Sequence, residues 1–182
     1  TRRSSDLCNS ETTVPEEGDQ TVNFDSDGGG TDLPDGTYDS CTVTVTDQAG
    51  NSDTVPVTTF VVDTEEPAAP TILVPENGSS TADTTPAISG TGSEVNNTIT
   101  VFSGGTTLCT ATVGAGPGFA WSCSSTVVME EGVKTITATE TDGASNESAA
   151  STAVSLRVDT TAPSVTEVTP VTTPTADATP AY

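Results

Sequence analysis

Short runs in which Val, Ile or Thr alternate with polar residues recur along the chain, separated by clusters of Gly, Pro, Asn and Asp. Alternation with a period of two places one set of side chains on a buried face and the other in solvent, which is the signature of β-strands. Between Pro67 and Pro163 seven runs read as strands: Thr71–Val74, Ala87–Gly90, Thr98–Phe102, Thr107–Val113, Phe119–Ser124, Val133–Thr141 and Val154–Val158. Ile136 and Ala138 on one run, and Val154, Leu156 and Val158 on another, fall on proposed inward faces. Helical periodicity is absent from the sequence. Seven short alternating strands with frequent turns predict an all-β fold, a Greek-key β-sandwich.

The strand pattern is itself repeated. Gly36–Asn51 aligns with Gly132–Asn146, and matching Asp47 to Asp142 or Asn51 to Asn146 sets an offset of 95. Val62-Asp63-Thr64 through Pro67 returns as Val158-Asp159-Thr160 through Pro163, at an offset of 96. Ala82–Ala87 returns as Ala176–Ala181 at 94. Three separate blocks near one period mark a repeat too long for a solenoid and right for a whole sandwich domain. The expected organisation is therefore a unit over 1–66 lacking its first strands, a complete unit over 67–162, and the opening strands of a third over 163–182. Each boundary reads Val-Asp-Thr-x-x-Pro, where proline imposes an extended, non-helical link.

The blocks Asp47–Asn51, Val-Asp-Thr-x-x-Pro and Asp83–Thr91 resemble the bacterial Ig-like repeats of large surface adhesins and biofilm proteins. The resemblance extends over essentially the whole chain. It implies tandem immunoglobulin-like β-sandwiches at the cell surface. In the second copy of the loop, Asp142–Asn146, Ser145 stands where the first copy has Gly50.

Composition narrows the function classes. Only 32% of residues are hydrophobic and 4% aromatic, so each core must be thin. The formal net charge is −22, with Arg2, Arg3, Lys134 and Arg157 as the sole cationic side chains. A surface so acidic repels nucleic acid and anionic lipid. No apolar run reaches membrane-spanning length, and the segment carries no signal peptide, so an export signal is expected elsewhere. There is no His, and the few cations leave little to bind phosphate or to stabilise an oxyanion. The pairs Glu65–Glu66 and Glu130–Glu131 read as solvated charges rather than as a glycosidase dyad, and Gly28–Gly30 and Gly104–Gly105 read as turns. The chain is expected not to be an enzyme.

Four cysteines fit an oxidising, extracellular compartment. Cys109 and Cys123 flank a Gly-Pro-rich turn, and a hairpin centred on Gly116 would set them opposite each other, with Val113 opposite Phe119. A Cys109–Cys123 disulfide is the expectation, against two buried thiols. Cys8 and Cys41 have no counterparts at the repeat offset, Cys41 aligning with Ile136, and a second bond between them is expected.

Carboxylates gather where units should meet. In an Ig-type sandwich the linker Asp63–Pro67 lies near the loop Asp142–Asn146 of the following unit, with Glu94 and Asn96 beside it and Asp32 and Asp35 arriving from the preceding unit. Calcium takes six to eight oxygens, several of them anionic. Asp63, Glu65, Glu66 and Asp142 are thus candidate calcium ligands, with Asp159 opening an equivalent site at the next boundary; the alternative is that these charges only solubilise the sandwich. Other singular residues carry little. Lys134 lacks a recognisable isopeptide partner, the sequons at Asn77, Asn96 and Asn146 are frequent by chance in such a chain, and Trp121 reads as packing beside a disulfide more readily than as a sugar platform.

Two functions remain. One is a structural or adhesive array, a spacer or fibre-forming segment projecting a terminal domain, its repeats meeting head to tail. The other is a module that itself binds a glycan or a host protein. The ends leave two arrangements open: a window on a continuous array, or Ser164–Tyr182 of one copy completing the open sandwich near Cys8 of another.

Overall fold

The computed structural model describes residues 33–166 together with the backbone of Ser10–Val14. Thirteen strands and no helix form among the described residues, and none of the chain there is a helix able to cross a membrane.

From Pro67 onward two sheets face each other. The smaller holds β6 (Thr71–Val74), β8 (Ala87–Thr91) and β11 (Ala120–Ser124) in the order β11-β8-β6. The larger holds β7 (Ser79–Thr81), β9 (Thr98–Ser103), β10 (Thr106–Thr112), β12 (Gly132–Thr141) and β13 (Val154–Val158) in the order β10-β9-β12-β13-β7. All pairings are antiparallel except β13 with β7, which is parallel, Leu156 opposite Ser79 and Val158 opposite Thr81. The seven alternating runs of the sequence are all strands, each to within a residue or two. The extra strand, β7, is Ser-Ser-Thr, and three polar residues carry no alternation to read.

The two inner faces meet over a single core. Ile88 and Trp121 come from the smaller sheet, and Ile99, Val101, Leu108, Ile136, Ala138, Leu156 and Val158 from the larger. Val154, the remaining inward residue read from the alternation, is also buried. Each fully buried Ile, Leu or Val contributes about 1.5–3 kcal/mol, so few can be spared from so small a set. Gly90 lets the smaller sheet close up: a Cβ there would sit 1.8 Å from the Thr71 carbonyl oxygen and 2.9 Å from the Trp121 ring.

One sequence expectation is corrected. Cys109 and Cys123 are joined, with a Cα–Cα distance of 6.1 Å, but not across a hairpin. β10 pairs with β9, and β11 pairs with β8 in the other sheet. Val113 does not face Phe119; it exchanges main-chain bonds with Asn96 and Asn97, while the Phe119 carbonyl accepts from Gly92. β10 also carries a register shift between Thr107 and Cys109. The shift brings Leu108 inward beside Cys109, while Cys109, Ala111 and Val113 hold one inward face, so the Cys109 sulfur meets Cys123 of the opposite sheet across the core. The disulfide is a tie between sheets.

The preceding unit is described by β1 (Ser10–Val14), β2 (Gly36–Tyr38), β3 (Thr42–Asp47), β4 (Ser52–Pro56) and β5 (Phe60–Val62). β3 lies between β1, parallel to it, and β4, antiparallel, while β2 pairs with β5. β2 and β3 together occupy the stretch that β12 fills as one strand in the next unit. Tyr38 stacks on Phe60 with ring centroids 5.1 Å apart, over the buried Cys41. Cys41 and its aligned partner Ile136 are thus both core residues. Cys41 is disulfide-bonded; Cys8 lies outside the described residues.

Candidate functional site

The acidic loop after β12 is built by one carboxylate. Asp142 Oδ1 accepts the main-chain N–H groups of Ala144 and Asn146, each at 2.9 Å, and Oδ2 accepts the Asn146 side-chain amide at 2.9 Å. Main-chain bonds from Asp142 to the Asn146 carbonyl and from Ser145 to the Asp142 carbonyl close the turn. Ser145 completes it with a φ of 77°. The loop after β3 has the same construction: Asp47 accepts the Asn51 N–H at 2.8 Å and its side-chain amide at 2.7 Å, with Gly50 at a φ of 88°. In both loops the asparagine side-chain amide is the foremost cause that holds the aspartate below its ordinary pKa, aided by main-chain N–H donors.

This loop grips the linker before its own unit. The Asn146 amide also donates to the Asp63 main-chain carbonyl at 3.0 Å, across 83 residues of chain. The linker is anchored from its other side as well. Asp63 Oδ1 accepts the Glu65 N–H at 3.1 Å, and Asp35 Oδ1 accepts both the N–H and the hydroxyl of Thr64 at 3.1 and 2.9 Å. At the far end of the second unit the pattern returns: Asp159 Oδ1 accepts the Thr161 N–H at 3.3 Å, and Glu131 accepts the hydroxyls of Thr160 and Thr161. Glu131 occupies the place of Asp35, one residue before the glycine that opens β2 or β12.

A third loop is positioned by a residue the sequence reading passed over. Glu140 is fully buried, on the inward face two places beyond Ala138. Its carboxyl oxygens accept the Ser93 N–H and hydroxyl at 2.9 Å, the Glu94 N–H at 3.2 Å and the Asn97 amide at 2.9 Å. Those bonds fix the loop between β8 and β9, which carries Glu94 and Asn96 to the linker. The inward series Ile136, Ala138, Glu140 was the signal that could have found it. An acid at a core position must meet donors there.

The outcome is an open crevice at the junction. Asp63, Glu65, Glu66, Glu94 and Asp142 line it together with Pro67, Ala68 and the half-exposed Phe119. A second crevice beside it shares Asp63, Glu94 and Asp142 and adds Asn96. Four of the five expected calcium ligands therefore meet in one place, and Asp159 lies at the opposite end of the unit, beside Arg157 at 3.2 Å. Asp35 reaches the linker through Thr64; Asp32 is outside the described residues. The oxygen chemistry suits a hard cation. The spacing is another matter: among the described residues no group of three or more carboxylates, cysteines or histidines is assembled to hold a metal ion, and both Asp142 oxygens are already engaged by the loop. Trp121, by contrast, is 3% exposed and belongs to the core.

Residues 74–160, which span β7 to β13 and the Glu140 network, match the family model for the bacterial Ig-like domain. This segment is a bacterial Ig-like domain. Solved structures similar to the chain include the fibronectin(III)-like modules of Clostridium thermocellum CbhA, at 16% identity and a TM-score of 0.49 over 70% of this chain and 65% of that one. The BSP domain of a biofilm associated protein is similar at 27% identity and a TM-score of 0.38, over 73% of this chain and 20% of that one. A tetra-tandem repeat in the extending region of a large adhesion protein is similar at 23% identity and a TM-score of 0.41, over 78% and 35%. The chain thus spans less than two thirds of the length of each of these structures. No curated protein matches it.

Proposed function

We propose that this chain is a tension-bearing spacer, a stretch of tandem Ig-like repeats that meet head to tail outside the bacterial cell and carry no catalysis. The supporting observation is the parallel pairing of β13 with β7. The chain enters the Ig-like domain just before β6 and β7 and leaves directly after β13. Tension applied at the two linkers draws β7 and β13 in opposite directions along their shared axis. Their cross-strand hydrogen bonds are then loaded together in shear instead of opening one at a time. Flanking bonds lengthen this clamp: Gly78 N–H to the Ser155 carbonyl at 2.7 Å, Asp159 N–H to the Thr81 carbonyl at 2.9 Å, and Ser155 N–H to Asn77 Oδ1 at 2.9 Å.

The test is single-molecule stretching of the whole chain from its ends. Asn77→Ala, which removes one clamp bond, is expected to lower the force at which the domain unfolds. Thr126→Ala removes the hydroxyl bond to the Leu108 carbonyl, far from the clamp, and is expected to leave the force unchanged at a similar thermal cost. Equal effects of both substitutions would overturn the assignment. The alternative is a module that itself binds a glycan or a host protein; burial of Trp121 speaks against a sugar platform at that residue, and binding of the chain on a glycan array would favour the alternative.

Calcium belongs to the same proposal at the junction crevice, where Asp63, Glu65 and Glu66 are exposed and are the residues that would hold the ion. Its chemistry there is neutralisation of like charges. Adding Ca²⁺ is expected to raise the thermal midpoint of the chain, and less so in Glu65→Gln/Glu66→Gln; an unchanged midpoint in the parent chain rules the ion out.

A further inference from the structure

Resting on the reading of the chain as a tandem array, we infer that the bond from the Asn146 side-chain amide to the Asp63 carbonyl is one instance of a joint that recurs at every boundary. Asp159 presents the acceptor for the asparagine of a following repeat, and Asn51 presents the donor for the linker of a preceding one. The partner at each surface is another repeat of this type, recognised by an amide on one side and a main-chain carbonyl on the other.

Both halves of the joint are duplicated in the chain. The donor half is the loop closed by aspartate and asparagine four residues apart. Its amide nitrogen has two hydrogens. In the second unit one goes to Asp142 Oδ2 and the other to Asp63 O. In the first unit Asn51 is held to Asp47 by the same bond and in the same orientation, with the same left-handed residue before it. The acceptor half is the linker start. Asp63 and Asp159 each fold their carboxylate onto the N–H two residues ahead, and the next threonine of each is held by an acid of its own unit, Asp35 or Glu131. That double anchorage orients the aspartate carbonyl, and it is complete at Asp159 from residues of the second unit alone. The geometry that meets Asn146 at the first boundary is therefore present at the second.

A joint of this kind differs from a cation site. It needs neither ion nor opposite charge, so it works in an array whose units all carry strong negative charge and repel at long range. Covalently linked domains otherwise reorient freely unless their interface is extensive.

The experiment uses the chain with residues 67–162 duplicated in tandem, in EDTA, so that the Asp159 of the first copy is followed by a complete repeat. Residual dipolar couplings report whether neighbouring units share one alignment. Both junctions are expected to be aligned alike. Asn146→Ala in either copy is expected to lower the relative alignment at the junction preceding that copy by roughly twofold or more, leaving the other unchanged. Asn51→Ala serves as control, since it costs the same loop bond without touching either junction, and should change neither. If the inserted repeat tumbles independently of its predecessor, the recurrence is wrong; if Asn51→Ala loosens a junction as much as Asn146→Ala does, the amide is not the joint. The stretching measurement reads the strength within one repeat, so a strong repeat on slack joints would overturn this inference and leave the spacer reading intact.

Discussion

Ser145 holds a φ of 77° where the preceding unit has Gly50 at 88°, and the two loops nonetheless make the same bonds. A side chain with a Cβ costs about 1–2 kcal/mol in the left-handed region. Glycine escapes that cost but loses more chain entropy on folding, roughly 0.5–1 kcal/mol. Ser145→Gly is therefore expected to stabilise the Ig-like domain by about 0.5–1 kcal/mol, read as a rise in the denaturant midpoint at constant slope. A fall in the midpoint would show that the serine hydroxyl contributes something the loop geometry does not reveal.

Glu140 is expected to be the most sensitive polar position in the domain. Every group that touches its oxygens is a donor: the Ser93 and Glu94 N–H groups, the Ser93 hydroxyl and the Asn97 amide. Glu140→Gln would turn an amide N–H₂ toward those donors, and Glu140→Ala would leave them buried without acceptors. Losses of about 2 kcal/mol for the first and about 3–5 kcal/mol for the second are expected from chemical denaturation. A near-neutral alanine variant would mean that water or a rearranged loop replaces the carboxylate.

How far these features could be read in the sequence depends on how each is encoded. Strands such as Val154–Val158 carry apolar residues every second place, and the alternation alone located them. The proximity of Asp63 to Asp142 followed from sandwich connectivity, because topology dictates which loops share an end. What escaped was encoded by single residues against the pattern. β7 has no apolar residue to alternate. The sheet assignment of Cys109 was not encoded locally, since a Gly-Pro-rich turn looks the same whether it closes a hairpin or crosses between sheets. Glu140 occupied a core position in plain view, but its partners lie 43–47 residues away, and only the folded chain brings Ser93 and Asn97 to it.

Acid is expected to open the two aspartate–asparagine loops, at a pH below the ordinary aspartate range. Asp47 and Asp142 are held below the ordinary aspartate range, chiefly by the amides of Asn51 and Asn146. A depressed folded-state pKa means that the stabilisation is fully present above the unfolded value and is lost as the pH falls through the lower folded value. Carboxyl ¹³C titration should show both midpoints below that of an aspartate in an unstructured peptide. The Asn146 side-chain amide should lose its protection from exchange in step with protonation of Asp142. An ordinary midpoint at Asp142 would contradict the bonds drawn to its oxygens.

Because Cys109 and Cys123 sit in different sheets, their bond should govern how far the domain extends once it has yielded. The cysteines are 14 residues apart in sequence and 6.1 Å apart between Cα atoms. An extended residue spans about 3.5 Å, so the closed loop withholds roughly 40 Å of contour length for as long as the sulfurs stay joined. Stretching the oxidised chain should give an unfolding step shorter by that amount than the same step in reductant. The initial unfolding force should change less, because the clamp between β7 and β13 does not contain the disulfide. Thermal stability should fall on reduction by about 3 kcal/mol, the chain-entropy cost of opening a loop of this size. A step length unaffected by reductant would show that the two sheets are not covalently tied in the stretched molecule. A collapse of the unfolding force on reduction would shift the mechanical role from the terminal strands to the disulfide itself.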